Sequence, residues 1–287
     1  MTATDPGSYA GDEFSYRLPW PVDEVFPGTH TSRRGGDGQR FRAFGPLLRY
    51  PDPRRIDLRA SLRDPFRELQ VRVMQARVRG QVFVAADLSA SMGSGGKHAL
   101  LCRIAVACAW SATRRGDGFG FAAGAEELDE HLSMRNATGL HVAADLQQRL
   151  AATRPGGASC HAWRDLAPLL PRRRALVFLL SDFFLPAALL EDVLDSLARH
   201  WVVPVVIGET RDRDLPQGFG LGLVRDRESG AARLLVLTAR LRRRVQAGYD
   251  AWRDELAAIC LRRGAAPFHV RDRFDAAQLT DYFVQQA

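Results

Sequence analysis

Gln81-Val82-Phe83-Val84-Ala85-Ala86-Asp87-Leu88-Ser89-Ala90-Ser91 is the stretch whose reading decides the fold. Val82 to Ala86 is a short, continuous apolar run stopped by a carboxylate, and Ala175-Leu176-Val177-Phe178-Leu179-Leu180-Ser181 is stopped the same way by Asp182. Runs of this length read as strands buried on both faces, as in a parallel sheet covered by helices. Between and beyond them the pattern alternates. Helices are expected at about 97–114, 141–152, 161–170, 187–199, 239–263 and 275–285, and strands at 118–123, 201–208 and 267–270. A hairpin is expected over 221–237, turning at Arg227-Glu228-Ser229-Gly230. Strands alternating with helices define an α/β fold with a doubly wound, mostly parallel, Rossmann-like sheet.

Upstream the texture differs. Residues 1–50 are rich in Pro, Gly and Arg, and predict an extended lead-in that gains order by lying on other structure. Val71, Val73 and Val78 suggest an edge strand. The expected division is therefore an N-terminal extended segment and small β lobe at 1–79, packing on a main domain at 80–287.

Composition narrows the function classes. The 287 residues are 46% hydrophobic and 25% charged, which excludes wholesale disorder. The net charge is +7, and Lys97 is the only lysine among 40 basic residues. That excess permits nucleic acid, an anionic membrane or an acidic partner without choosing among them. The arginine runs at 172–174 and 240–244 lack aromatic interleaving and read as solvated faces, so a nucleic-acid role is not expected. Cys102, Cys108, Cys160 and Cys260 are too scattered for a metal clamp and read as reduced, mostly buried thiols. No signal peptide is visible, and the apolar stretch 175–190 falls short of the roughly 20 residues of a spanning helix, so a cytoplasmic protein is expected.

The chemistry lies at the strand ends. Asp87, Ser89 and Ser91 alternate where the first apolar strand gives way to a turn containing Gly93, Gly95 and Gly96. An extended or turning backbone points alternate side chains to one side, above the crevice where open α/β sheets hold ligands. Asp182 should reach the same rim if the two apolar strands are neighbours. Oxygen donors of this kind suit a hard cation, Mg²⁺ first, with Mn²⁺ or Ca²⁺ behind. The competing reading is a helix cap and turn cluster.

Asp87-x-Ser89-x-Ser91 resembles the metal-ion-dependent adhesion site (MIDAS) of von Willebrand factor A domains. In that fold a second-loop Thr and a third-loop Asp complete the site, positions matched here by Ser159 and Asp182. Cys160 and His161 are read as bystanders. With Arg33-Arg34-Gly35 and Pro51-Asp52-Pro53-Arg54-Arg55-Ile56-Asp57-Leu58-Arg59-Ala60-Ser61 added, the chain resembles bacterial domain-of-unknown-function family 58. The similarity covers about residues 28–287. The family usually has Trp where Leu58 stands and Thr-Asp-Leu where Ser159-Cys160-His161 stands, and its long members carry N-terminal membrane helices.

The resemblance implies a von Willebrand A-like domain and a MoxR-type AAA+ ATPase partner, because family members are commonly encoded beside such ATPases. It makes the protein an adaptor in remodelling or maturation of a client protein, with a partner carboxylate reaching the metal. Enzyme readings lack parts. Gly93-Ser94-Gly95-Gly96-Lys97 fails the P-loop spacing, Ser91 has Ser89 where a hydrolase serine has Gly two residues before it, and Ser89 stands where an aspartyl phosphotransferase needs its second carboxylate. The alternative is a metal-assisted phosphoester hydrolase with Arg54 or Arg55 as charge clamp, for which no general base is evident. Arg54, Arg55 and Arg59 read more simply as structural ion-pair residues tying the lead-in to the main domain.

Overall fold

The computed structural model describes residues 12–20, 30–36, 40–157, 159–213, 220–225 and 232–286. They form two units.

The smaller unit comprises Arg17–Gly80 and Arg115–Asp117. Strands β1 (His30–Gly36) and β2 (Arg40–Pro46) precede helix α1 (Leu58–Arg63) and strand β3 (Gln70–Val78). The sheet is antiparallel in the order β1-β3-β2, so β3 is the central strand and not the edge strand expected. The lead-in itself supplies both neighbours, and Val71 and Val73 are buried while Arg72 between them is exposed. Helix α1 starts at Asp57, whose carboxylate accepts from Ala60 N–H at 3.0 Å and pairs with Arg72 at 2.7 Å.

The larger unit comprises residues 12–16, Gln81–Arg114 and Gly118–Gln286. Its elements run β4 (Gln81–Asp87), α2 (Lys97–Arg114), β5 (Gly118–Gly124), β6 (Met134–Ala137), α3 (His141–Ala151), β7 (Leu176–Ser181) and α4 (Ala187–Ser196). Then follow β8 (Trp201–Gly208), α5 (Thr210–Arg213), β9 (Gly220–Arg225), β10 (Ala232–Leu237), α6 (Ala239–Arg262), β11 (Phe268–Arg271) and α7 (Ala276–Gln286). Six strands form one sheet in the order β11-β8-β7-β4-β5-β6, parallel except at the β5–β6 edge. The chain winds outward from β4 through β5 to β6, then returns to β7 and winds the other way. The expected doubly wound α/β fold is therefore present, with its switch point between β4 and β7.

Why those runs are continuously apolar is now plain. Leu176 to Ser181 is buried at every position because alternate side chains enter two different cores. Val177 and Leu179 pack with Trp163, Phe183, Val193 and Ile259 beneath α4 and α6. Phe178 points to the other face, where its ring meets Phe14 at 5.9 Å and Phe283 at 6.0 Å. Helix α2 lies on that second face, since Ser111 Oγ accepts from Phe14 N–H at 3.1 Å.

Three local expectations change. Residues 161–170 form two short 3₁₀ turns, His161–Asp165 and Ala167–Leu169, and not an α-helix. Pro168 lacks an N–H and disfavours helical geometry in the residue before it. The antiparallel strand β6 has no counterpart among the expected elements, being only four residues long with an exposed centre. The hairpin forms with β9 paired to β10, while its turn, 227–230, lies outside the described residues.

Candidate metal centre

Asp87 is the last residue of β4, and Ser181, one residue before Asp182, is the last of β7. The parallel register pairs Ala86 with Leu180, so Asp87 and the Ser181-Asp182 step emerge side by side at the switch point. Ser181 Oγ donates to Asp87 Oδ2 at 2.6 Å, tying the two strand ends together. Asp87 Oδ1 accepts from Ser89 N–H at 2.8 Å, which turns the chain so that Ser89 and Ser91 follow on the same side. Their hydroxyl oxygens lie 3.1 Å apart. Burial pushes the Asp87 carboxyl above its usual range; the Ser181 and Ser89 hydrogen bonds pull it back in part, and the Asp182 charge adds to the rise.

The second loop lies against the first. Gly156 N–H donates to Leu88 O at 2.8 Å and Ala90 N–H to Gly157 O at 3.0 Å. Ser159 sits half-buried on this loop, but no described hydrogen bond joins its hydroxyl to the Asp87 cluster. The adjoining Cys160, expected to be a bystander, is the side chain that faces Asp87. Burial first, then the Asp87 and Asp182 carboxylates, hold its thiol well above the usual range, so it stays protonated.

A buried cation shares the site. Lys97, at the start of α2, is buried, and its Nζ lies 3.1 Å from Asp182 Oδ2 and 3.0 Å from Asp212 Oδ2. The Phe184 ring covers the ammonium, its centroid 5.4 Å from Nζ. Burial alone would pull the Lys97 ammonium down, but Asp182 and Asp212 outweigh it and the net shift is upward. Asp212 is held in turn by Glu209 N–H at 2.9 Å, and Glu209 Oε1 accepts from Gly96 N–H. Gly95 has φ +55°, and a Cβ there would collide with the Glu209 carboxylate, so only glycine admits this approach.

The donor chemistry fits a hard divalent ion: the Asp87 and Asp182 carboxylates with the Ser89 and Ser91 hydroxyls. Among the described residues no three His, Cys, Asp or Glu side chains gather to hold a metal, so any ion here depends on the hydroxyls. Such an ion would share Asp182 with Lys97, which already carries a positive charge to that carboxylate. Of these residues, Lys97 left a trace in the sequence as the sole lysine of an arginine-rich chain. Its compact ammonium reaches both the Asp182 and the Asp212 carboxylates. Asp212 left no trace, because its role depends on β8 lying beside β7.

Arg55, considered as a clamp or anchor, pairs within its own segment with Asp52 at 3.1 Å. Among the described residues no helix is long and apolar enough to cross a membrane.

Fold and crevice together define a doubly wound α/β protein with an oxygen-lined switch point. The family described as "Protein of unknown function DUF58" matches residues 51–255, and the chain belongs to that family. No curated protein matches it. Similar solved structures include an aerotolerance-related membrane protein from Bacteroides fragilis, at 14% identity and TM-score 0.43, covering 72% of this chain and 98% of that one. The conserved hypothetical protein BatB from Bacteroides thetaiotaomicron is similar at 14% identity and TM-score 0.43, covering 72% and 96%. A von Willebrand factor type A protein from Catenulispora acidiphila is similar at 14% identity and TM-score 0.40, covering 74% and 42%.

Proposed function

We propose that this protein is a non-catalytic interaction module whose crevice docks a partner through a divalent cation, Mg²⁺ first. Asp87, Ser89, Ser91 and Asp182 hold the ion, with Ser159 as the second-loop ligand. The observation that carries the reading is the junction of the two strand ends by Ser181, which gathers the Asp87 and Asp182 carboxylates beside two hydroxyls. When bound, the ion supplies a positive charge with an open position for a partner carboxylate. Family resemblance makes that partner a MoxR-type AAA+ ATPase in the cytoplasm, with this protein as adaptor to a client. The phosphoester hydrolase reading gains no support from any described contact, since no His or Glu is seen bonded to Asp87, Ser89 or Asp182.

The test is calorimetric titration of Mg²⁺ into the wild type, Asp87→Ala and Ser89→Ala, run beside capture of a MoxR-type ATPase from the same genome. Heat of binding in the wild type, lost in Asp87→Ala, together with capture abolished by EDTA, is the expected result. Capture that persists in EDTA removes the metal from the interaction. A wild type that takes up no Mg²⁺ removes it from the protein.

A further inference from the structure

The smaller unit carries an apolar surface that its own sheet does not use. Leu48 is 92% exposed, Leu62 87%, Phe66 84% and Leu58 69%. Single exposed leucines are ordinary, but a cluster of nearly naked large side chains within one short segment marks a contact surface. The arrangement is regular. Leu58, Leu62 and Phe66 recur every four residues, and Arg59, Arg63 and Arg67 follow one position behind each. Leu58 and Leu62 lie on one face of α1, with Arg59 and Arg63 beside them.

The acidic residues of the segment offset these arginines only in part: over residues 47–72 seven arginines stand against Asp52, Asp57, Asp64 and Glu68. Asp57 caps α1 and binds Arg72. Asp64 accepts from Phe66 N–H, Glu68 N–H and Gln70 Nε2, each at 3.0 Å. Asp52 caps the preceding turn and pairs with Arg55. Among the described residues Arg59, Arg63 and Arg67 have no ion-pair partner.

We propose that this surface seats the protein on an anionic bilayer, the leucines and Phe66 entering the acyl boundary and the arginines meeting lipid phosphates. Two features favour a lipid surface over a protein partner. The apolar side chains stand out from a short helix and turns instead of lining a slot, and a fluid acyl layer receives such projections without matching holes. The fringe of unpaired guanidiniums supplies the second attraction that stable peripheral binding needs. The inference is independent of the metal centre, since every residue it uses belongs to the smaller unit.

The test is sedimentation of the full chain with vesicles of phosphatidylcholine alone or with about 30 mol% phosphatidylglycerol. The wild type is expected to pellet with the anionic vesicles, to stay in solution with the neutral ones, and to be released as salt shortens the screening length. The Leu62→Ser, Phe66→Ser double variant is expected to lose binding without unfolding, because both positions are already solvated. Arg59→Gln and Arg63→Gln should each weaken binding about fivefold, the loss set by one surface charge. Failure of the wild type to pellet with anionic vesicles overturns the proposal, as does equal pelleting of wild type and double variant. A wild-type dimer that the double variant converts to monomer on sizing, with no vesicle binding, would make the surface an interface between copies instead.

Discussion

The two units treat hydrophobic side chains in opposite ways. In the larger one, the strands next to the switch point are buried at nearly every position, and the exposed large apolar residues Leu140, Phe184, Val236, Leu261 and Val284 are scattered over its length. In the smaller one, Leu18, Val71 and Val73 are the buried apolar side chains among the described residues, while Leu48, Leu58, Leu62 and Phe66 stand exposed between positions 48 and 66. A sheet covered by helices on both sides has two cores to fill. A three-stranded sheet has far less volume to enclose, and side chains beyond that volume are left for another surface. Stability should therefore reside in the first unit, while the second offers an apolar contact surface of its own.

The largest expected effect tests the first half of that contrast. Phe178→Ala removes a ring packed against Phe14 and Phe283, and should cost about 3–5 kcal/mol in denaturant unfolding. A loss below about 1 kcal/mol would mean that the second face of the sheet is not a true core. Next comes Lys97→Met, which leaves the Asp182 and Asp212 carboxylates without their buried cation and should cost about 3 kcal/mol. Added Mg²⁺ should recover part of this loss if the ion and the ammonium share Asp182. Recovery that is no greater than in the wild type would separate Lys97 from the metal centre.

Acid offers a third comparison. His200 Nδ1 accepts from Ala175 N–H at 3.2 Å, and burial, then Arg199 and Arg174, hold this imidazole down to about 4 from the usual 6.5. Between those values the unfolded chain binds a proton that the folded protein refuses. Stability of the larger unit should thus fall as pH drops from 6.5 toward 4, by about 2–3 kcal/mol in all. His200→Gln should flatten the profile in this window, measured by denaturant titration at several pH values. The smallest effect is the most telling for the other unit. Leu62→Ser should change unfolding by less than about 0.5 kcal/mol, because the side chain is already solvated. A larger loss would show that Leu62 supports the fold and is not held in reserve for a bilayer.

Much of this was legible because it rests on periodicity within single segments. Val82–Ala86 and Leu176–Leu180 read as doubly buried strands from their lack of alternation, and the structure places them side by side. The alternation of Asp87, Ser89 and Ser91 at a strand end likewise anticipated that they would stand together. Failures came where a neighbour decides the outcome. The pattern in 70–78 shows a strand but not how many partners flank it, and β3 is central. Residues 161–170 look helical by apolar spacing, yet they form two 3₁₀ turns that meet at Leu166, with Pro168 inside the second. On the second loop Cys160, read as a bystander beside Ser159, faces Asp87, because the turn brings its side chain to the strand ends.

By itself, the sequence determined the fold class, the strand ends that bear Asp87 and Asp182, and membership in the DUF58 family, since each is written in local order. Only the tertiary structure decided that Lys97 lies between Asp182 and Asp212, and that the leucines around α1 are left bare. Charge pairing and exposure depend on distances through space between residues far apart in the chain, and no reading of neighbours along it can supply them.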